Sequence, residues 1–212
     1  MTEKGKIMKW LLGLFAGMLI AGSVLADEVA PDALVRDVTT EVLDILRKDK
    51  DIQSGNTRKA IELVENKVLP YFNFQRMTAQ AVGKSWRQAT PAQQKALTDE
   101  FKTLLVRTYS NALTAYKTQT VDFKPLRAAP ADTEVTVRTE IKQAGSKPIT
   151  LNYVLEKTGG NWMVVDMVIA DISQVISYRD QFRQEVATGG LDGLIKSLEA
   201  KNKSAEASVA KK

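Results

Sequence analysis

Asp166 is the residue most open to a chemical reading, because it is a carboxylate on a segment, Trp162 to Ile169, that is otherwise apolar on both faces. A catalytic carboxylate needs a partner whose environment holds its pKa apart, and no matching carboxylate is evident. The simpler role is structural, accepting hydrogen bonds from nearby backbone N–H groups or from an Arg. Tyr178-Arg179 is the second candidate. Arg suits a phosphate at a pocket mouth, and a surface ion pair accounts for Arg179 equally well. The commonest catalytic routes are closed: the chain has neither His nor Cys, so a His-based triad, a Cys nucleophile and the usual zinc site are all excluded. Carboxylates, Ser, Lys and Tyr leave other catalysis open. No Gly-rich phosphate cradle is present, so no metal, nucleotide or other cofactor is expected.

Whatever these residues do, helices and then strands must position them. Thr90 to Tyr116 is the longest element. Its apolar residues Leu97, Phe101, Leu104, Leu105, Tyr109, Ala112, Leu113 and Tyr116 form one stripe at helical spacing. Thr90 can cap it, Pro91 suits the first helical position, and Gln93 completes a capping box. Such a stripe needs a broad cover, and the strands that follow can supply one. Before it, Ala33 to Leu46 and Thr57 to Val68 read as helices, and Asn73 caps a shorter helix running to Val82. After Tyr116 the period changes to two. Val121 and Phe123 alternate with polar residues; so do Val135, Val137 and Ile141, and then Ile149, Leu151, Tyr153 and Leu155. With Trp162 to Ile169 these make an antiparallel four-stranded meander. Ile172 to Val186 returns to helical spacing, Gly189-Gly190 breaks it, and Leu191 to Leu198 forms a last helix. The order specifies an α+β domain with helices curled over one sheet face.

The two ends read differently. Lys4, Lys6 and Lys9 precede an apolar run, Trp10 to Ala21, and then Val24-Leu25-Ala26. That pattern is a secretory signal peptide over residues 1–26, cleaved after Ala26. One domain is expected over 27–200, and a polar, disordered tail over 201–212. The formal charge of the whole chain is +5. Its charges are dispersed with no block of one sign, so the chain is not expected to bind nucleic acid.

An ordered set of residues resembles the MlaC family of periplasmic phospholipid carriers, also known as toluene-tolerance proteins. It comprises Val68-Leu69-Pro70-Tyr71-Phe72-Asn73-Phe74 and Gly83-Lys84-Ser85-Trp86-Arg87-Gln88. Gln94, Phe101, Leu104-Leu105 and Tyr109 follow, then Trp162, Val164, Asp166, Ser173, Tyr178-Arg179-Asp180-Gln181-Phe182 and Gly190-Leu191-Asp192-Gly193-Leu194. The chain departs from the family where Ala170-Asp171 replaces the usual Glu-Gly, and where Gln174 stands in place of Leu. The resemblance implies an NTF2-like fold in which a curved antiparallel four-stranded sheet and its helices enclose an apolar cavity. It implies that acyl chains lie in that cavity with the headgroup in solvent. It also implies partners, an outer-membrane lipoprotein–porin complex and an inner-membrane ABC transporter, and a role in outer-membrane lipid asymmetry.

Two acyl chains of roughly thirty methylenes carry some 20 kcal/mol or more of transfer free energy. A carrier therefore needs apolar side chains in excess of a closed core. With the resemblance in hand, the expected lipid-binding residues are Leu105, Tyr109 and Leu113 on the long helix, and Val137, Leu151, Tyr153 and Val164 on the sheet. Ile172, Val175 and Ile176 complete the set. Without it, each reads as ordinary core. A periplasmic hydrolase or isomerase on an NTF2-like fold and an adaptor without ligand are the alternatives.

Overall fold

The computed structural model describes residues 29–116 and 118–209. The expected signal peptide and its cleavage after Ala26 lie outside the described residues. Among the described residues six α-helices, α1 (Pro31–Lys48), α2 (Lys50–Gln53), α3 (Thr57–Lys67), α4 (Phe74–Val82), α5 (Pro91–Thr114) and α6 (Arg179–Val209), accompany five strands. The strands are β1 (Thr120–Phe123), β2 (Glu134–Lys142), β3 (Ile149–Thr158), β4 (Asn161–Ile169) and β5 (Ile172–Ser173). They form one antiparallel sheet in the order β1-β2-β3-β4-β5, the expected meander with one short strand more.

The helix starts follow local chemistry. Gln93 N–H donates to Thr90 Oγ1 at 3.2 Å and Thr90 N–H to Gln93 Oε1 at 3.0 Å, so the capping box of α5 is closed. Asn73 Oδ1 accepts from Arg76 N–H at 3.0 Å and starts α4. Near the C-terminus the observed path differs from the expected one. Ile172 onwards does not begin a helix, because Asp166 draws Ser173 and Val175 into its own hydrogen bonds and leaves a short strand and a 3₁₀ turn, Ile176–Tyr178, before α6. The break at Gly190 is present, with φ 67° and ψ −171° inside α6. The helix beyond it does not dissolve into a tail at Lys201. It runs to Val209, because buried Asn202 donates to the Glu100 carbonyl at 2.9 Å and Arg107 donates to the Asn202 carbonyl.

The core is divided into three clusters. Phe101, Leu97, Leu105 and Met77 pack with Val175, Phe182, Leu194 and Leu198, joining α4, α5 and α6. Phe101 meets Tyr178 and Phe182 edge-on, at 5.1 and 5.2 Å between ring centroids. A second cluster gathers Val42, Leu46, Ile52, Ala60, Leu63 and Tyr116. The third lies on the sheet: Val135, Val137, Leu155 and Val164 against Val35, with Leu34 beside it. The stripe of α5 is thus covered by helices. It is α1 that covers the sheet, spanning from the strands at Leu34 and Val35 to the helical cluster at Val42 and Leu46.

Candidate functional site

Strand alternation places four apolar rows on the face that α1 covers. Val135, Leu155 and Val164 lie side by side, as do Val137, Tyr153 and Met167; then come Phe123, Thr139, Leu151, Ile169 and Ile172, and finally Val121, Ile141 and Ile149. The first two rows hold the buried apolar positions, with Val137 at 1% and Val164 at 3% exposure beneath α1, and the third keeps one buried residue at its centre, Thr139, whose hydroxyl donates to the Leu151 carbonyl. The last two open toward solvent at their ends, where Ile149 is 49% and Ile172 59% exposed, while the residues between are half-buried or buried. Arg36 of α1 lies 4.4 Å over the Phe123 ring and closes the β1 side. The half-buried Tyr153 lies beside Thr39 of α1, and burial pushes its phenol up to about 12. The result is an apolar trough, roofed by α1 at one end and open at the other.

The β4–β5 hairpin forms the rim of the open end. Ala170 and Asp171 turn it, both in the left-handed region at φ 48° and 66°. Positive φ at both central positions is the type I′ form of a two-residue hairpin, which Gly or Asn meets most cheaply. Asp166, buried at 7% exposure, accepts from the Ser173 hydroxyl and from Val175 N–H at 3.1 Å. It is a structural acceptor, as expected, though no Arg takes part. Tyr109 of α5 donates its hydroxyl to Gln174. Its phenol is raised, chiefly by burial and then by Tyr178 and Asp166. Arg179 is committed elsewhere: two of its N–H groups bind the Gln80 carbonyl at 3.1 and 2.9 Å. It ties α6 to the end of α4.

The residues expected to bind lipid divide among these features. Val137, Tyr153 and Val164 come together under α1, and Leu151 and Ile172 continue the same face into the open end. Tyr109 and the 42%-exposed Ile176 border the hairpin. Leu105 and Val175 lie in the α4–α5–α6 cluster, and Leu113 packs against the α1–α3 cluster. Leu105 and Val164 therefore belong to different clusters and do not face each other. Phe123, Ile141, Ile149 and Ile169 share the trough's face and were within reach of the period-two pattern. Arg36 and Thr39 carried no such signal.

Two concavities lie away from the sheet, lined mostly by charged and polar residues. A groove of about 540 Å³ runs along α1 past Arg36, Asp37, Glu41 and Asp44, and one of about 330 Å³ sits at the α6 break beside Gln184, Glu185 and Gly189. Neither is lined by a sheet residue. Among the described residues no group of three or more His, Cys, Asp or Glu could hold a metal ion, and no helix is long and apolar enough to cross a membrane.

The family model described as MlaC protein matches residues 36–200. The chain belongs to the MlaC family. Among curated proteins it resembles the toluene tolerance protein ttg2D of Pseudomonas putida, at 26% identity over 163 residues, spanning 76% of this chain and 75% of that one. Among solved structures it resembles a protein from Ralstonia solanacearum, described as a phospholipid-binding protein in complex with a phospholipid. That match has a TM-score of 0.78 and 37% identity, covering 84% of this chain and 99% of the other. The MlaC match begins inside α1 and ends inside α6, so it takes in the whole sheet and most of the helix that roofs it.

Proposed function

We propose that this chain is a phospholipid carrier that holds acyl chains along the apolar sheet face and leaves the headgroup in solvent. The observation that carries this reading is the continuation of that face, through Phe123, Leu151, Ile169 and Ile172 and then Val121, Ile141 and Ile149, beyond the rows buried under α1. Apolar rows left open cost the free chain solvation, and acyl chains laid on them recover it at about 25 cal/mol per Å². The phospholipid-bound Ralstonia relative supports the same reading. Leu151, Tyr153 and Ile172 form the wall in this account, with Val137 and Val164 as its deep end and Tyr109 and Ile176 at the mouth. Leu105, Leu113 and Val175 serve it by packing the helices. The chain performs no bond-making step. Exported by a signal peptide cleaved after Ala26, it shuttles lipid across the periplasm between an outer-membrane lipoprotein–porin complex and an inner-membrane ABC transporter, and so maintains outer-membrane lipid asymmetry.

Native mass spectrometry of protein purified from the periplasm tests the carrier directly. The expected species begins at Asp27 and carries phospholipid. A folded chain that is consistently empty, and stays empty after incubation with phospholipid vesicles, overturns the proposal in favour of an adaptor or a hydrolase.

A further inference from the structure

The β4–β5 hairpin is fixed firmly at its base, while at its tip the turn has one main-chain tie to β3, from Ala170 N–H to the Thr150 carbonyl at 3.0 Å. At the base, Asp166 holds Ser173 and Val175, and Ser173 Oγ accepts from Ile176 N–H at 2.9 Å. The ladder with β4 has only the pairs Val168–Ser173 and Ile169–Ile172. The turn spends two L-residues at positive φ, and Ile172 projects at 59% exposure. One side chain links the hairpin to the helices. Gln174 donates Nε2 to the Ile172 carbonyl at 2.7 Å, its main-chain N–H binds the Met167 carbonyl at 2.8 Å, and its Oε1 accepts from the Tyr109 hydroxyl. Its amide group therefore links the hairpin to α5.

We infer that Gln174 is a positioning residue whose hydrogen bond from Tyr109 latches the β4–β5 hairpin to α5 and sets how fast an acyl ligand crosses the open end of the trough. This rests on the carrier reading above. Ile169 and Ile172 end one of the open rows, so a hairpin swinging about its Asp166 base widens the mouth there. A short, strained, exposed element opens locally at little cost, and such elements set exchange rates in many binding proteins. The latch joins protein to protein and makes no contact that a ligand must break. Removing it therefore changes uptake and release alike and leaves the equilibrium between them in place.

The test compares the mature chain with Gln174→Leu, Tyr109→Phe and the double variant. Hydrogen–deuterium exchange over residues 168–176 of delipidated protein reads the latch without any lipid. Stopped-flow transfer of pyrene-labelled phosphatidylethanolamine to and from vesicles reads the mouth. Each single variant is expected to speed hairpin exchange and to raise uptake and release about fivefold, the factor that one neutral hydrogen bond sustains. Equilibrium occupancy of Gln174→Leu stays unchanged, and the double variant exchanges no faster at the hairpin than Gln174→Leu alone. Unaltered hairpin exchange in Gln174→Leu overturns the latch. Faster hairpin exchange with unaltered transfer rates overturns the gating role, as does occupancy that falls in step with the thermal midpoint. A wild-type chain that takes up no probe overturns the carrier reading and the gating role with it, while hairpin exchange still decides the latch.

Discussion

The Tyr153 phenol of β3 lies beside the Thr39 side chain of α1 in an otherwise apolar interface. Burial disfavours the phenolate, and the pKa is pushed up to about 12. A raised pKa means that the neutral form belongs to the folded state. Its contribution is complete below the unfolded Tyr value of about 10 and is lost as pH rises through about 12. Absorbance at 295 nm is expected to show one tyrosine ionising only near pH 12, or abruptly on alkaline unfolding. Tyr153→Phe removes that component and shifts stability by less than about 1 kcal/mol in denaturant titration. An unchanged titration curve in the variant contradicts the assignment.

Trp substitutions distinguish trough from core. Leu105 is 4% exposed within the α4–α5–α6 cluster. Leu105→Trp therefore overpacks it and costs about 1–3 kcal/mol. Leu151 stands half-buried in an open row. Leu151→Trp is expected to shift stability by less than about 1 kcal/mol while reducing bound phospholipid per chain. The two thermal midpoints, measured on delipidated protein beside lipid content, decide the matter. Equal destabilisation by both would remove Leu151 from the trough.

The hairpin turn offers a gain in stability. Ala170 adopts φ 48° and Asp171 φ 66°. A Cβ in this region costs roughly 1–2 kcal/mol, less for Asp, while Gly returns part of the gain as unfolded-state entropy. Ala170→Gly is expected to raise unfolding free energy by about 1 kcal/mol, and Asp171→Gly by less. Chemical denaturation midpoints give the comparison, and a loss on Ala170→Gly would show the turn to be unstrained.

Acid stability depends on the edge strand. Asp122 of β1 meets Lys124 and Lys142, each at 2.9 Å. The hydrogen bond from Lys124, followed by that from Lys142, lowers its pKa to about 2. A depressed carboxylate stabilises above its unfolded value near 3.9 and loses that contribution as pH falls through about 2. Thermal midpoints of wild type are expected to fall across that window, and those of Asp122→Asn to fall less steeply. The group is exposed, so added salt shrinks the difference. Parallel curves for the two proteins would place the acid transition elsewhere.

Much of the fold could be read locally, because it is made locally. Thr90, Pro91 and Gln93 start α5 through contacts three residues apart, and the alternation in β2 and β3 marks one apolar face at each position. The resemblance, from Val68 to Leu194, fixed the family for the same reason: it needed only residue identity and order. What covers each apolar stripe was not legible. The stripe of α5 satisfies a helix or a sheet equally well, and only the packed structure assigns Leu105 to Phe182 and its neighbours while giving the sheet to α1. Periodicity reports that a side chain is buried and is silent on its partner. The end of the chain makes the same point, since Asn202 is held in a helix by Glu100 and Arg107, about a hundred residues earlier, and nothing in the polar composition of 201–212 announces it. Gln174 was visible as an unusual residue. Its bond to Tyr109, 65 positions away, exists only because the tertiary structure brings the hairpin against α5.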